Sequence, residues 1–160
     1  MCVAHYDDRG AVSRLAVTPR GAAKAPPLWF AEFTEPDGTP PAVSLVAFSG
    51  HGVEPDTLID QERLRDVKVT SPDQLGAIRW YPGTGEVDQV YVSPRMRRQN
   101  IGGALVAATS ALSLARGWPR LWGDGQRTAM GDRWRNASPW AHRAAELTHL
   151  APPMTPFEER

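Results

Sequence analysis

Cysteine is almost absent: the chain contains one, Cys2. A single thiol excludes an intrachain disulfide and a metal centre built on cysteine, and it is compatible with a reducing compartment. An excess of charge of either sign is also missing, since 18 lysines and arginines balance 18 aspartates and glutamates. The chain as a whole therefore has no electrostatic basis for a general affinity for nucleic-acid backbones or anionic membrane surfaces, and only local patches stay open. No apolar run is long enough to cross a bilayer, and the first residues lack the basic and apolar blocks of a signal peptide. No membrane partner and a cytoplasmic location are the matching expectations. Internal repeats, a Ser-His-Asp arrangement and a Walker-type phosphate loop are likewise not found.

What is present is a chain of 160 residues, 41% hydrophobic and 22% charged, which fits one globular domain with a substantial core. Fifteen prolines and 14 glycines divide it into short segments. The most informative of these runs from Gly85 to Leu105: Gly-Glu-Val-Asp-Gln-Val-Tyr-Val-Ser-Pro-Arg-Met-Arg-Arg-Gln-Asn-Ile-Gly-Gly-Ala-Leu. Its first part alternates as a strand, with Val87, Gln89 and Tyr91 expected on one face and Glu86, Asp88, Val90 and Val92 on the other. Pro94 breaks the strand, a basic turn follows, and Ile101, Ala104, Leu105, Ala108, Leu112 and Ala115 then recur at helical spacing until Gly117 and Pro119 end the helix. The first amides of a helix lack intrahelical acceptors and sit at the positive end of its dipole, so a phosphate is their natural ligand. Gly102 and Gly103 permit close approach to the backbone, and Arg95, Arg97 and Arg98 surround it with positive charge.

This run resembles the acyl-CoA signature of the GNAT N-acetyltransferase superfamily: Arg or Gln, two residues, Gly, one residue, Gly or Ala. Arg97 takes the first position and Gly102 the last; Asn100 stands where the family has its first glycine. The resemblance covers residues 86–116, about a fifth of the chain. It implies a single-domain α/β fold with a mixed, mainly antiparallel central sheet flanked by helices. Residues 64–140 would form the CoA-binding core, 1–63 a divergent N-terminal part and 141–160 a tail. It implies acetyl-CoA as acyl donor and an amine as acceptor. The amides around Val90, Tyr91 and Val92 would hold the acyl carbonyl and pantetheine. Those of Gln99, Asn100, Ile101, Gly102, Gly103 and Ala104, with Arg97 and Arg98, would hold the pyrophosphate. Counting back from Arg97, Glu86 falls where several members that acetylate protein lysines carry a catalytic glutamate. Asp88 is the second candidate base. Tyr91 and Tyr81 are candidates for the proton donor, and Tyr91 is equally a candidate core residue.

Elsewhere the reading is of short strands and turns. Residues 1–10 hold one strand, in which His5, Tyr6, Asp7 and Asp8 cannot all converge on a metal because strand neighbours point to opposite faces. Residues 11–18 form another, around Val12, Leu15 and Val17. Leu28–Thr34 and Ala42–Phe48 pair as a hairpin across the turn-rich Glu35–Pro41, and a short helix starts near Asp56. Leu64–Thr70, Gln74–Tyr81 and the Glu86 strand make an antiparallel meander. The two helices that usually follow the first strand of the family are not evident. Arg120–Trp122 is a strand expected beside the Glu86 strand, 128–137 a helix capped by Asp124 or Thr128, and 140–150 a tail helix. The family's tyrosine near the CoA sulfur has no counterpart in 128–137, where Trp134 is the nearest aromatic and reads as a pocket wall or core residue.

Three function classes follow. The leading one is an acyltransferase moving an acetyl or related group from acyl-CoA to a primary amine of a small molecule or protein. The second is a CoA-binding or interaction module without catalysis, and the third a GNAT-like nucleic-acid-modifying enzyme of phage type, which the balanced charge disfavours.

Overall fold

The computed structural model describes residues 1–20, 23–123, 126–127, 133, 136–137 and 149–150. The β-branched and aromatic segments form strands β1 (Cys2–Tyr6), β2 (Val12–Val17), β3 (Trp29–Glu35), β4 (Ala42–Phe48) and β5 (Leu58–Asp60). Further along come β6 (Gly76–Tyr81), β7 (Glu86–Val92), β8 (Trp122–Gly123), β9 (Gln126–Arg127) and β10 (His149–Leu150). The helices with described bounds are the single turn α1 (Gln61–Leu64) and the longer α2 (Ile101–Ala115). Six strands make one sheet in the order β5-β3-β4-β6-β7-β8. The inner pairs β3/β4, β4/β6 and β6/β7 are antiparallel, and the outer pairs β3/β5 and β7/β8 are parallel. The fold is thus α/β with a mixed, mainly antiparallel sheet. No described helix is long and apolar enough to cross a membrane.

Alternation along the strands builds two apolar layers. On one face Phe30, Val43, Leu45, Ile78 and Trp80 pack against the stripe Ile101, Ala104, Leu105, Ala108 and Leu112 of α2, joined by Leu15 from the β1–β2 hairpin. Each large side chain so buried contributes about 1.5–3 kcal/mol relative to exposure. Gly76 lets α2 sit down on this face: a Cβ there would lie 2.7 Å from the Tyr91 carbonyl oxygen, 3.0 Å from Ile101 and 3.1 Å from Leu105. The last turn of α2 is tied to β3 by an ion pair, in which the Arg116 guanidinium donates to both carboxylate oxygens of buried Glu32, at 2.8 Å from Nη2 to Oε2. On the other face Trp29, Ala31, Val46, Phe48 and Ile59 form a second cluster, with Trp29 stacked on Phe48 at 4.7 Å between ring centroids.

The expected meander is corrected. Leu64–Thr70 is not a strand; it bends back through successive turns after Asp60 caps α1 by accepting from the Arg63 amide at 2.8 Å. That bend aims Leu64, Val67 and Val69 together at the second cluster, which a straight strand cannot do. The other neighbour of β6 is β4, reached by a long connection that contains β5 and α1. The helix expected from Asp56 starts at Gln61, because Asp56 has a left-handed backbone with φ 69°. The hairpin of β3 and β4 and the strands β1 and β2 follow expectation, and no described helix precedes Gln61. The expected helix over 128–137 with Trp134, and the tail helix over 140–150, lie outside the described residues but for a few. Arg133, Asn136 and Ala137 are helical, whereas His149–Leu150 form β10 and pair in parallel with β9, so the tail helix does not reach Leu150.

The pairing of β7 with β8 depends on Gly85. Its φ is 80°, and a Cβ there would lie 2.2 Å from the Arg120 carbonyl oxygen, while its own carbonyl accepts from the Trp122 amide at 3.0 Å. Gly85→Ala is expected to destabilise by about 2–4 kcal/mol, from left-handed strain plus the forced separation of the two strands. Urea unfolding measures it, and a loss under about 0.5 kcal/mol, the usual range for a neutral surface change, would contradict this close approach.

Candidate functional site

The motif turn carries two left-handed residues directly before a helix. After β7, Pro94–Met96 make one 3-10 turn, and Arg98 and Asn100 then both adopt φ 62° before α2 begins at Ile101. The first helical bond runs from the Ala104 amide to the Asn100 carbonyl at 2.9 Å. Among the described residues, none of the amides from Arg98 to Gly103 has an acceptor. Left-handed residues interspersed with right-handed ones turn successive N–H groups toward one side in anion-binding nests, and this turn has two of the left-handed positions. Two non-glycine residues held left-handed cost about 1–2 kcal/mol each, less for asparagine. Asn100 takes a left-handed backbone, which glycine and asparagine adopt most readily, and its exposed side chain makes no cap bond. Arg97 is half-buried and Arg98 exposed, both in this turn. Arg95 differs from expectation: it donates to the Pro72 carbonyl at 2.6 Å and is tethered away.

The faces of β7 also differ from simple alternation. Val87 lies opposite Trp80, Val90 opposite Ile78 and Val92 opposite Gly76, with a register shift between Arg79 and Trp80. This bulge places one extra residue in β7, so all three valines join the α2-side core. Glu86, Asp88, Gln89 and Tyr91 therefore share the other face, the two expected carboxylates together with the expected tyrosine. On its outer side β7 meets β8 only at Glu86 and Val87. From Asp88 to Val92 that edge has no strand partner among the described residues.

On that shared face Arg79 of β6 organises a polar network. It donates from Nε to Glu35 at 2.8 Å, from Nη1 to Asp88 at 2.7 Å and from Nη1 to the Tyr81 hydroxyl at 3.3 Å. Tyr81 in turn donates to the other oxygen of Asp88 at 3.0 Å. The Arg79 pKa is raised above even its usual high value, first by the bonds to Glu35, then by those to Asp88 and Tyr81, so it carries charge at every accessible pH. Both Asp88 oxygens are engaged, and the Tyr81 proton is directed at Asp88. The Glu86 carboxylate, half-buried, has no hydrogen-bond partner among the described residues.

Beside the network is a cavity of about 200 Å³ lined by Ser44, Ala77, Arg79, Gln89 and Tyr91. Of these, sequence reasoning named only Tyr91 as a site residue. Arg79 was detectable as the one charged side chain within the alternating Gly76–Tyr81 strand; Ser44 carries no such signal. A larger open hollow of about 410 Å³, lined by residues of 52–67, lies over β5 at the opposite sheet edge and contains none of the expected site residues. Comparison with protein-family models, with curated proteins and with solved structures gives no match.

Proposed function

We propose that the protein is an acyltransferase of GNAT type that moves an acetyl or related acyl group from acyl-CoA to a primary amine. The observation that carries this reading is the run of acceptor-free amides from Arg98 to Gly103 at the end of β7, with Arg97 and Arg98 beside it. It supports pyrophosphate binding, and the partly unpaired outer edge of β7 next to β8 supports an extended pantetheine arm along Val90, Tyr91 and Val92. In the reaction, the amine nitrogen attacks the thioester carbonyl and the new C–N bond forms as the C–S bond breaks. One ammonium proton passes to a base before attack, a second N–H proton is lost as the amide forms, and the CoA thiolate takes up a proton. Glu86 is the proposed base, since Asp88 is committed to Arg79 and Tyr81. Tyr91, on the same face, is the proposed proton donor.

The test is calorimetric titration with acetyl-CoA, followed by thiol release on addition of amines. Burial above all, and then Asp56, push the Cys2 thiol up to about 12, and the protein without acetyl-CoA gives its background in the thiol assay. Saturable binding with amine-dependent release is expected; no binding would overturn the reading. Binding without release for any amine would favour a CoA-binding module, for which the engagement of Asp88 and Tyr81 is the specific observation. Oligonucleotides are expected not to bind, and micromolar binding that falls steeply with salt would favour the nucleic-acid modifier.

A further inference from the structure

The cavity walled by Ser44, Arg79, Gln89 and Tyr91 differs from the motif turn in what it offers a ligand. Among the described residues the side chains of Ser44, Gln89 and Tyr91 have no hydrogen-bond partner, so a hydroxyl, a carboxamide and a phenol all face a space of about 200 Å³ with their bonding capacity unused. The cavity is open to solvent on one side, and at about 30 Å³ per water-sized group it seats roughly seven non-hydrogen atoms of a ligand. An arginine in such a wall ordinarily recognises a carboxylate. Here Arg79 is already held by two, Glu35 and Asp88. One guanidinium and two carboxylates leave the network with a formal charge of −1, to which Glu86 on the same face adds another. The surroundings therefore attract a cation and oppose an added anion.

We infer that this cavity is the acceptor site and that it takes an amine bearing hydroxyl groups, an amino alcohol rather than an amino acid. The inference rests on the acyltransferase reading for what happens to the amine, but its core, selective binding of a hydroxylated cation, stands apart from turnover. Ser44 and Gln89 bind the hydroxyls beside Tyr91, the net negative charge that Glu35, Asp88 and Glu86 carry next to the cavity draws the ammonium without lining it, and Glu35 acts as a positioning residue that keeps Arg79 from recruiting a substrate carboxylate. The bulge of β7 is what puts Gln89 and Tyr91 on the same face as Glu86.

The test uses a matched pair, 2-amino-1,3-propanediol and serine, which differ in one hydroxymethyl against one carboxylate. Each is titrated into the full chain with and without CoA and followed by calorimetry, and kcat and KM are then measured with acetyl-CoA. The amino alcohol is expected to bind at least about tenfold more tightly than serine, the worth of one charged contact. Glu35→Gln frees part of Arg79, so it is expected to narrow that ratio about tenfold through KM, with kcat for the amino alcohol little changed. Ser44→Leu fills the cavity and is expected to abolish amine binding while acetyl-CoA affinity stays as it was. Equal or reversed preference, an unchanged ratio in folded Glu35→Gln, or absence of amine binding in both conditions would each overturn the inference. The acyl-CoA reading is judged separately by the acetyl-CoA titration, so a protein that binds acetyl-CoA but not these amines fails the acceptor inference alone.

Discussion

Gly103→Asp is expected to make the protein slightly more stable and, at the same time, to weaken acetyl-CoA binding by about a hundredfold. Gly103 is the third residue of α2 and half-buried, whereas Gly102 is buried, so aspartate at 103 tests the anion site without loading the core. In the first helical turn a carboxylate gains about 0.3–1 kcal/mol from the helix dipole and replaces the poor helix former glycine. The same carboxylate competes for the amides of Arg98 to Gly103 and repels a pyrophosphate. Two unit charges about 4 Å apart repel by about 4 kcal/mol at an effective dielectric of 20, and solvent screening brings that to roughly the 2.7 kcal/mol of a hundredfold change. Thermal unfolding and calorimetry on the same sample read the two signs. A variant as stable as the parent that binds acetyl-CoA equally well would remove the phosphate from this turn. Arg98→Glu, exposed at a left-handed position, is an independent check that should also weaken binding, by a smaller factor set by screening.

The parts of this molecule that follow from local sequence are those with strong periodicity and their own punctuation. The stripe from Ile101 to Leu112 and its stop near Gly117 are legible because α2 buries one apolar face against an apolar sheet, whereas the ion pair of Arg116 with Glu32 at its end is not. The β3–β4 hairpin is legible because two apolar segments flank one turn-rich linker. The motif turn is legible for the same reason, and its asparagine was a readable substitute for glycine because few other side chains tolerate φ 62°. What could not be read is whatever depends on a partner far along the chain. The bulge in β7 arises from its pairing with β6, and no feature of Glu86–Val92 taken alone announces it, yet it decides which residues share a face. Leu64, Val67 and Val69 look like a strand until Trp29 and Phe48 are known to lie beneath them. The Arg79 network is similarly non-local, joining Glu35 and Asp88 from strands on either side of β6's own plane of neighbours, 44 and nine residues away. It turns the second candidate base into an ion-pair partner. Ser44, a small polar residue in an otherwise apolar strand, acquires meaning only from the cavity that β6 and β7 complete.

Glu86→Gln is expected to lower kcat by about a hundredfold or more at neutral pH, with acetyl-CoA affinity nearly unchanged. The substitution keeps size and hydrogen-bonding shape and removes only basicity. It is well tolerated structurally, since the Glu86 side chain has no partner among the described residues and its backbone pairing with Tyr81 and Trp122 is independent of the side chain. Asp88→Asn is the paired measurement, and the geometry gives it a different signature. Removing the Asp88 charge loosens Arg79 and Tyr81, so it should raise the KM for the amine more than it lowers kcat. The pH profile separates the two roles further. A base that must be ionised gives kcat/KM a rising acidic limb, which Glu86→Gln should remove and Asp88→Asn should retain. If Asp88→Asn abolishes turnover and Glu86→Gln does not, the ion-paired carboxylate is the base after all, and Arg79 is the group that tunes it. If neither matters, deprotonation passes through water along the open outer edge of β7, and Glu86 is no more than part of the negative surface that draws the amine in.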